Sequence, residues 1–146
     1  MLVYVDSSVL ASAYLRDEPG HADAVALVTG ESFVTTSTLT LAEVTSALAR
    51  GARARRLNDL EGALASLDAD TGAAGPVTLI RADQLTAENV ARQLVRDHAL
   101  RALDALHLAV AELSARPLAS DDEHVGFASR DSAQLAAAMS IGFLPV

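Results

Sequence analysis

Strand-like and helical segments alternate along almost the whole of this 146-residue chain. Apolar or β-branched runs predict strands at residues 2–5, 32–36, 77–80, 125–129 and 143–144. Helical spacing of apolar residues predicts helices at about 7–15, 19–30, 38–50, 57–67, 86–97, 101–115 and 132–140, with Gly51 closing the third. This alternation favours an α/β sandwich around a mainly parallel sheet of four to five short strands, in a single domain spanning residues 1–146.

The composition of the chain excludes several kinds of site. There are 19 acidic and 11 basic residues, for a net charge of −8, and the sequence contains neither Lys nor Cys. Without Cys there is no disulfide, thiolate zinc site or cysteine nucleophile, and without Lys there is no phosphate-loop lysine or Schiff base. The negative charge argues against broad attraction to nucleic acid, so RNA would be held by local basic patches or metal ions. Because Asp6 interrupts the first apolar run, we expect neither a signal peptide nor a membrane span there. A cytoplasmic location is therefore expected.

Four acidic residues differ from the surface acids in their position. Asp6 directly follows the first predicted strand and Asp131 lies two residues after the fourth, where the crevice of an open α/β sheet forms. Glu43 and Asp104 lie in predicted helices among apolar residues, where an uncompensated charge costs stability. Clustered carboxylates repel unless a cation joins them, and Mg²⁺ and Mn²⁺ prefer oxygen ligands. These acids are therefore a candidate divalent metal site.

Three of these acids also have a purely structural interpretation as helix caps. Asp6 and Asp131 are both placed to cap the helix that follows them. Glu43 completes a capping-box pattern with Thr40. Each cap is compatible with the sequence, and the pattern alone leaves the choice open.

Asp104 has an alternative partner nearby in the sequence. It lies three residues after Arg101, which is close enough along a helix for an ion pair. His107 lies a further three residues on, so it shares nearly the same helix face as Asp104. A packed histidine bonded to a neighbour explains His107 more simply than a catalytic base does.

Four short segments carry a further signal through their order and spacing. They are Tyr4-Val5-Asp6-Ser7-Ser8-Val9-Leu10, Thr40-Leu41-Ala42-Glu43-Val44, Leu103-Asp104-Ala105-Leu106-His107-Leu108-Ala109 and Phe127-Ala128-Ser129-Arg130-Asp131. With these segments the chain resembles the PIN-domain ribonucleases, specifically the VapC-type toxins of bacterial toxin–antitoxin pairs. The resemblance covers essentially the whole sequence and implies a three-layer α/β/α sandwich.

The same resemblance implies a metal-dependent cleavage of RNA. In the family, an acidic quartet with supporting hydroxyl residues holds Mg²⁺ or Mn²⁺ and activates a water for phosphodiester hydrolysis. The matching positions here are Asp6, Glu43, Asp104 and Asp131, supported by Ser7 and Ser129. Toxins of this family pair with a small antitoxin protein and commonly form homodimers, so both partners are expected beside the RNA substrate.

The fourth acid departs from the family pattern. The next apolar anchor, Leu135, follows Asp131 by four residues, where the family usually has three. An acidic loop precedes the fourth strand, and its Asp121 or Asp122 could complete the site instead. The alternative to a ribonuclease is a catalytically weak or inactive module of the same fold that binds protein or RNA.

The densest basic cluster follows the helix that carries Glu43. It consists of Arg50, Arg53, Arg55 and Arg56. The cluster is typical of a solvated helix end, where the helix dipole favours cations. It is equally consistent with a row of arginines that binds RNA phosphates and leads the RNA toward the acids. Aromatic residues make up only 3% of the chain, so base stacking is expected to add little to RNA affinity.

Overall fold

Five parallel strands form one sheet in the computed structural model, which describes residues 1–120 and 122–146. The strands are β1 (Leu2–Val5), β2 (Phe33–Ser37), β3 (Val77–Ile80), β4 (Val125–Ala128) and β5 (Leu144–Pro145). Their order across the sheet is β3-β2-β1-β4-β5, so the chain builds one side of the sheet outwards from β1 and then crosses to build the other. The predicted mainly parallel sheet is confirmed, and every strand pair is parallel.

Helices cover both faces of this sheet. They are α1 (Ser7–Tyr14), α2 (His21–Thr29), α3 (Leu39–Arg53), α4 (Leu60–Asp70), α5 (Gln84–Asp97), α6 (Ala102–Val110) and α7 (Ser132–Ser140). Helices α1 to α4 contribute to the core on one face, and α5 to α7 contribute to the core on the other. In the part of the chain that the structure describes, no helix combines the length and the apolar character needed to cross a membrane.

The central strand β1 is buried on both faces, as its unbroken apolar sequence predicts. Leu2 and Tyr4 belong to the core beneath α5 to α7, whereas Val3 and Val5 belong to the core beneath α1 to α4. This alternation follows from the two-residue period of a strand. The result is the three-layer α/β/α sandwich that the resemblance implied.

Helix α3 continues past the position where it was predicted to end. The prediction placed its end at Gly51, but the helix runs to Arg53. Gly51 is buried, and a Cβ atom added to it would lie 3.1 Å from Cδ2 of Leu15. The glycine therefore allows close packing of the chain after α1 against α3. The left-handed backbone that follows the helix is at Arg55, with φ 59°.

The segment predicted as one helix over residues 101–115 changes its winding near the middle. Helix α6 ends at Val110, and Ala111–Ala115 form a π-helical turn. A short 3₁₀ turn, Arg116–Leu118, follows and contains Pro117, which ends the helical run as predicted. Ala111 and Ala115 are fully buried, so the π-helical turn presents its small side chains to the core.

Candidate active site

The sheet order creates a crevice at the carboxyl ends of β1 and β4. These strands are neighbours, but the chain leaves β1 toward β2 on one side and β4 toward β5 on the other. Such a reversal of strand order is where open α/β sheets form their binding sites. Asp6 follows β1, and its backbone N–H donates to the Ala128 carbonyl at 2.9 Å. The last residues of β4 therefore bring Asp131 to the same edge of the sheet as Asp6.

Asp6 is buried and its carboxylate is held by the first turn of α1. The side chain is 4% exposed and accepts hydrogen bonds from the backbone N–H of Ser8 at 3.2 Å and from the Ser8 hydroxyl at 2.8 Å. The predicted helix cap at Asp6 is thus confirmed. The backbone N–H of Arg130 donates to the Ser8 hydroxyl at 3.0 Å, which ties α1 to the loop after β4.

Glu43 projects toward a buried histidine. Nε2 of His107 contacts a carboxylate oxygen of Glu43, and it also lies 3.7 Å from Oδ1 of Asp6. Nδ1 of His107 lies 2.8 Å from the hydroxyl of Tyr4. The histidine is 1% exposed, so both ring nitrogens have protein partners in a dry environment. The interpretation of His107 as a packed histidine bonded to a neighbour agrees with this geometry, and that neighbour is a candidate site residue.

The predicted capping box between Thr40 and Glu43 is wrong. Helix α3 begins after Thr38, which makes no side-chain capping bond. The hydroxyl of Thr40 instead lies 2.7 Å from the hydroxyl of Thr36 at the end of β2. Because Thr40 is fully buried and already bonded there, Glu43 is free of any capping role.

The charges of Glu43 and His107 support each other. Burial by itself lowers the pKa of His107, but the hydrogen bond with Glu43 and the negative charge of Asp6 outweigh it, so the pKa is raised above its usual value. Burial by itself raises the pKa of Glu43, but His107 and a hydrogen bond from Ser7 outweigh it, so that pKa is lowered. Each partner therefore favours the charged form of the other.

Asp104 and Asp131 share a second cation, Arg101. Nε of Arg101 lies 2.7 Å from Oδ2 of Asp104 and Nη2 lies 3.3 Å from its Oδ1, in a two-pronged ion pair. The same Nη2 lies 3.5 Å from Oδ2 of Asp131. The alternative pairing of Asp104 with Arg101 is thus confirmed, and the hydrogen bond that Arg101 donates to Asp104 raises the pKa of the guanidinium.

Asp131 has two roles that use different oxygen atoms. Its Oδ1 accepts hydrogen bonds from the backbone N–H groups of Ala133 at 2.9 Å and Gln134 at 3.0 Å, which confirms the predicted cap of α7. Its Oδ2 faces Arg101. A capping role and a place in the crevice are therefore compatible for this residue.

Ser129 and Gln134 connect the acids behind the crevice. The Ser129 hydroxyl accepts from the backbone N–H of Asp131 at 3.0 Å, donates to Oε1 of Gln134 at 2.6 Å, and lies 3.5 Å from Oδ2 of Asp6. Gln134 is fully buried, and its Nε2 donates to the backbone carbonyl of Asp104 at 3.1 Å. This network fixes α6 relative to α7 beneath the four carboxylates.

The reserve acids before β4 do not reach this crevice in the described residues. Asp121 lies outside the described residues. Asp122 precedes β4 and is exposed, and the neighbouring Glu123 accepts a hydrogen bond from the backbone N–H of Leu2 at 2.9 Å, at the start of β1. Because the two strands are parallel, Asp122 and Glu123 lie at the edge of the sheet opposite the crevice. Asp131 is the acid that the sheet places beside Asp6.

The donor chemistry of the four carboxylates fits a hard divalent cation, since all of their side-chain donors are oxygen atoms. In this structure Arg101 lies between Asp104 and Asp131, and His107 lies between Glu43 and Asp6. Among residues 1–120 and 122–146, no three His, Asp or Glu side chains lie close enough together to hold a metal ion. The protein's own cations therefore compensate the acids in this structure.

The predicted basic cluster divides into residues with different surroundings. Arg50 lines a cavity of about 480 Å³ together with Ser7 and Glu43, and a second cavity of about 400 Å³ that continues to Arg130. Arg56 lines the second cavity too. Its guanidinium, however, is bound by the Asp17 carboxylate at 2.6 Å and by Glu18. Arg53 and Arg55 are exposed and line neither cavity.

No site role was predicted from the sequence for Tyr4, Ser8 or Gln134. Local sequence patterns could have indicated Ser8 and Tyr4, but not Gln134. Ser8 occupies the position whose backbone N–H an N-cap aspartate usually bonds, two residues after Asp6. Tyr4 shares a strand face with Asp6 because side chains alternate along a strand. The role of Gln134 depends on how α7 packs against α6, and nothing in the sequence indicated it.

Comparison with known proteins gives one family and several solved folds. Residues 3–132 match the PIN domain family. No curated protein matches the chain. VapC20 of Mycobacterium tuberculosis, described as a Sarcin-Ricin loop cleaving toxin, is 20% identical with a TM-score of 0.65, over 99% of this chain and 98% of that chain.

Two further solved structures have the same fold at lower identity. VapBC2 from Rickettsia felis, bound to a DNA fragment from their promoter, is 9% identical with a TM-score of 0.62, over 100% of this chain and 98% of that chain. A toxin–antitoxin complex from Klebsiella pneumoniae is 13% identical with a TM-score of 0.53, over 92% of this chain and 90% of that chain. At these identities the likeness shows a shared fold.

Proposed function

Because this chain belongs to the PIN domain family, we propose that it is an endoribonuclease that depends on Mg²⁺ or Mn²⁺ and acts as the toxin of a type II toxin–antitoxin pair. One observation carries the proposal: four carboxylates from separate parts of the chain meet at the crevice between β1 and β4. They are linked through the contacts of His107, Ser129 and Arg101. The toxins and toxin–antitoxin complexes among the similar structures support the assignment.

The proposed chemistry is hydrolysis of an RNA phosphodiester bond by water. When bound, a divalent cation supplies activation of the water and compensation of the charge that develops at phosphorus. Asp6 and Asp104 would be the main ligands, because both carboxylates are largely buried at the base of the crevice. Asp131 would complete the ligand set through Oδ2, the oxygen atom that does not cap α7.

Glu43 would orient the attacking water and accept its proton at a carboxylate oxygen. His107 contacts Glu43 from the buried side, and Tyr4 holds the other ring nitrogen. This arrangement restrains the orientation of the Glu43 carboxylate. In this proposal Ser7 would support Glu43 by a hydrogen bond, and Ser129 would support Asp131 through the bond it accepts from the Asp131 backbone N–H.

The substrate would approach along the groove that begins at Glu43 and passes Arg50. Arg50 donates a hydrogen bond only to the neutral Ser46 hydroxyl, at 2.7 Å, among the contacts of the described residues. Its positive charge is therefore available to an RNA phosphate, whereas the charge of Arg56 is compensated by Asp17 and Glu18. Of the four arginines in the predicted basic cluster, Arg50 is the one that we propose contacts RNA.

The proposed partners are a small antitoxin protein and a second copy of this chain. The similar structures from Rickettsia felis and Klebsiella pneumoniae are toxin–antitoxin assemblies by description, which supports an antitoxin partner. Size-exclusion chromatography with light scattering on the chain alone tests the homodimer. Co-purification with the product of a neighbouring short gene tests the antitoxin. The proposed place of action is the cytoplasm, where the RNA substrate is found.

The deciding experiment is an RNA cleavage assay with Mg²⁺ or Mn²⁺, with and without EDTA. Asp6→Ala and Asp104→Ala should each reduce cleavage by roughly a hundredfold or more, and EDTA should abolish it. Asp68→Ala is the matched control, since it removes an exposed acid of α4 and should leave cleavage unchanged. Cleavage that persists in EDTA, or in either crevice variant, would contradict the proposal.

The second candidate is a non-catalytic PIN-fold module that binds protein or RNA. The observation that favours it is the pairing of the carboxylates with the chain's own cations, without three acids in metal-binding range among the described residues. Turnover of RNA that requires a divalent cation eliminates this candidate. Tight RNA binding without any cleavage, in the presence of Mn²⁺, supports it.

A further inference from the structure

Arg101 is an unusual partner for the acids of the crevice, because it is bound on one side and exposed on the other. Its guanidinium contacts Asp104 at 2.7 Å and 3.3 Å and lies 3.5 Å from Asp131. The Arg101 side chain is 78% exposed, whereas that of Asp104 is only 13% exposed. A solvent-exposed cation thus covers a carboxylate that is mostly removed from water.

The surroundings distinguish this contact from an ordinary helical ion pair. Arg116 and Glu112 form such a pair, also at 2.7 Å, but their side chains are about equally exposed and Arg116 also packs over the ring of Phe143. Arg101 faces two carboxylates, one in α6 and one just before α7, and lies just outside the first turn of α6. The contact therefore closes the open side of the acidic crevice.

The charges explain why a cation is needed at this place. Two carboxylates that face each other repel, and the repulsion is relieved by a positive charge between them. His107 contacts Glu43 and lies 3.7 Å from Asp6, but it is 1% exposed and is held by Tyr4. Arg101 supplies a positive charge for the other two acids without being anchored by the core.

We propose that Arg101 is an internal counter-ion that sets the affinity of the crevice for divalent cations, and that it releases Asp104 and Asp131 when such a cation binds. This inference rests on the proposed metal-binding role of the carboxylates. A divalent cation carries twice the charge of a guanidinium, so it compensates both carboxylates where Arg101 compensates them only in part. Release of Arg101 is inexpensive, because its side chain is long, exposed and hydrated.

The test is a titration of the full chain with Mn²⁺, in which the signal of free Mn²⁺ is followed by electron paramagnetic resonance. Arg101→Ala should bind Mn²⁺ about fivefold more tightly than the wild type, since it removes the competing charge. Arg101→Lys should fall between the two, because an ammonium group cannot bridge the carboxylate with two parallel bonds. Arg92→Ala is the control, since it removes the same charge from an exposed position of α5 and should leave the affinity unchanged.

A second measurement follows the same competition by a different signal. The rise in melting temperature on adding Mn²⁺ should be larger for Arg101→Ala than for the wild type, because tighter binding to the folded state stabilises it more.

The possible outcomes distinguish this inference from the function on which it rests. Equal or weaker Mn²⁺ binding by Arg101→Ala, with binding by the wild type intact, overturns the role of Arg101 and leaves the proposed metal site standing. An absence of Mn²⁺ binding in both the wild type and Arg101→Ala overturns both. An equal gain in Arg92→Ala shows a long-range effect of net charge and also overturns the role of Arg101.

Discussion

The two cations of the crevice differ in how firmly the fold holds them. His107 is 1% exposed and has protein partners on both ring nitrogens, whereas Arg101 is 78% exposed and contacts the protein's acids from the solvent side. Each faces two of the four carboxylates. The acidic site thus has a buried half, made of Glu43, His107 and Asp6, and an exposed half, made of Asp104, Arg101 and Asp131.

The difference shows which contacts hold the fold and which are open to exchange. Removing one member of a buried ion pair leaves a charge in a dry environment, which is strongly unfavourable. Removing Arg101, whose side chain is 78% exposed, uncovers the Asp104 carboxylate, so water can solvate the charge that remains. The buried half should therefore govern the stability of the chain, and the exposed half should govern what binds to it.

The largest expected effect is the loss of stability on replacing His107. His107→Leu should lower the free energy of unfolding by about 3 kcal/mol, because it leaves the Glu43 carboxylate without its ionic partner and the buried Tyr4 hydroxyl without its 2.8 Å hydrogen-bond partner. Arg101→Gln should change it little, because that side chain is mostly solvated. Urea unfolding of both variants measures the difference. Equal losses in the two variants would show that the two halves are not distinct.

The second effect isolates the hydroxyl that holds the histidine. Tyr4→Phe should cost about 1 to 2 kcal/mol, because Nδ1 of His107 loses its 2.8 Å partner and has no access to water. Tyr14→Phe is the matched control, since the Tyr14 hydroxyl donates to Asp70 at 2.8 Å in a more exposed place. The loss in the control should be smaller. A loss in Tyr4→Phe no larger than in Tyr14→Phe contradicts the importance of the buried half.

The third effect is a pH dependence of stability in the absence of metal. Burial lowers the pKa of His107, but Glu43 and Asp6 raise it to a net value above the usual 6.5, so this stabilisation is complete below pH 6.5 and is lost as the pH rises through the folded-state pKa. Burial raises the pKa of Glu43, but His107 lowers it below the usual 4.5, so this stabilisation is present above pH 4.5 and is lost as the pH falls through the folded-state pKa. The pair should therefore contribute most between pH 4.5 and pH 6.5.

Unfolding free energies measured between about pH 5 and pH 9 test this dependence. His107→Gln should flatten the fall in stability above pH 6.5, whereas Arg101→Gln should leave it in place. An unchanged slope in His107→Gln would assign the dependence to other groups.

The smallest expected effect is that of salt. At 1 M NaCl the screening length is about 3 Å, so the contacts of the exposed Arg101 weaken while those of His107 persist. The Mn²⁺ affinity of the wild type should then approach that of Arg101→Ala, once both are corrected for the general effect of ionic strength with Arg92→Ala. A constant ratio between the wild type and Arg101→Ala across salt concentrations contradicts an electrostatic competition.

Much of this fold follows from short-range patterns in the sequence. The apolar run at residues 2–5 and the alternation of strands and helices predict a parallel sheet, and the acids that follow β1 and β4 are predictable because strand ends meet at one edge. The caps at Asp6 and Asp131 also follow from local chemistry.

The parts that could not be predicted depend on packing between distant elements. Glu43 meets His107 across 64 positions of sequence, so the local match to a capping box gave the wrong partner. Gly51 was predicted to end α3, but the glycine instead allows Leu15 to approach the helix closely, which the local sequence does not indicate. The reach of Arg101 to Asp131 likewise depends on where α7 lies beside α6.

The pairing of β1 with β4 determines when the crevice can form during translation. Val5 lies beside Ala128 in the sheet, so the strand that leads into Asp6 gains its second neighbour only once the chain has been synthesised through β4. Contacts between such distant positions form slowly, because a long loop must close first. A ribosome-bound chain that has not yet reached β4 therefore carries Asp6, Glu43 and Asp104 without the strand that completes their crevice. These acids come together with Asp131 only after β4 has joined the sheet.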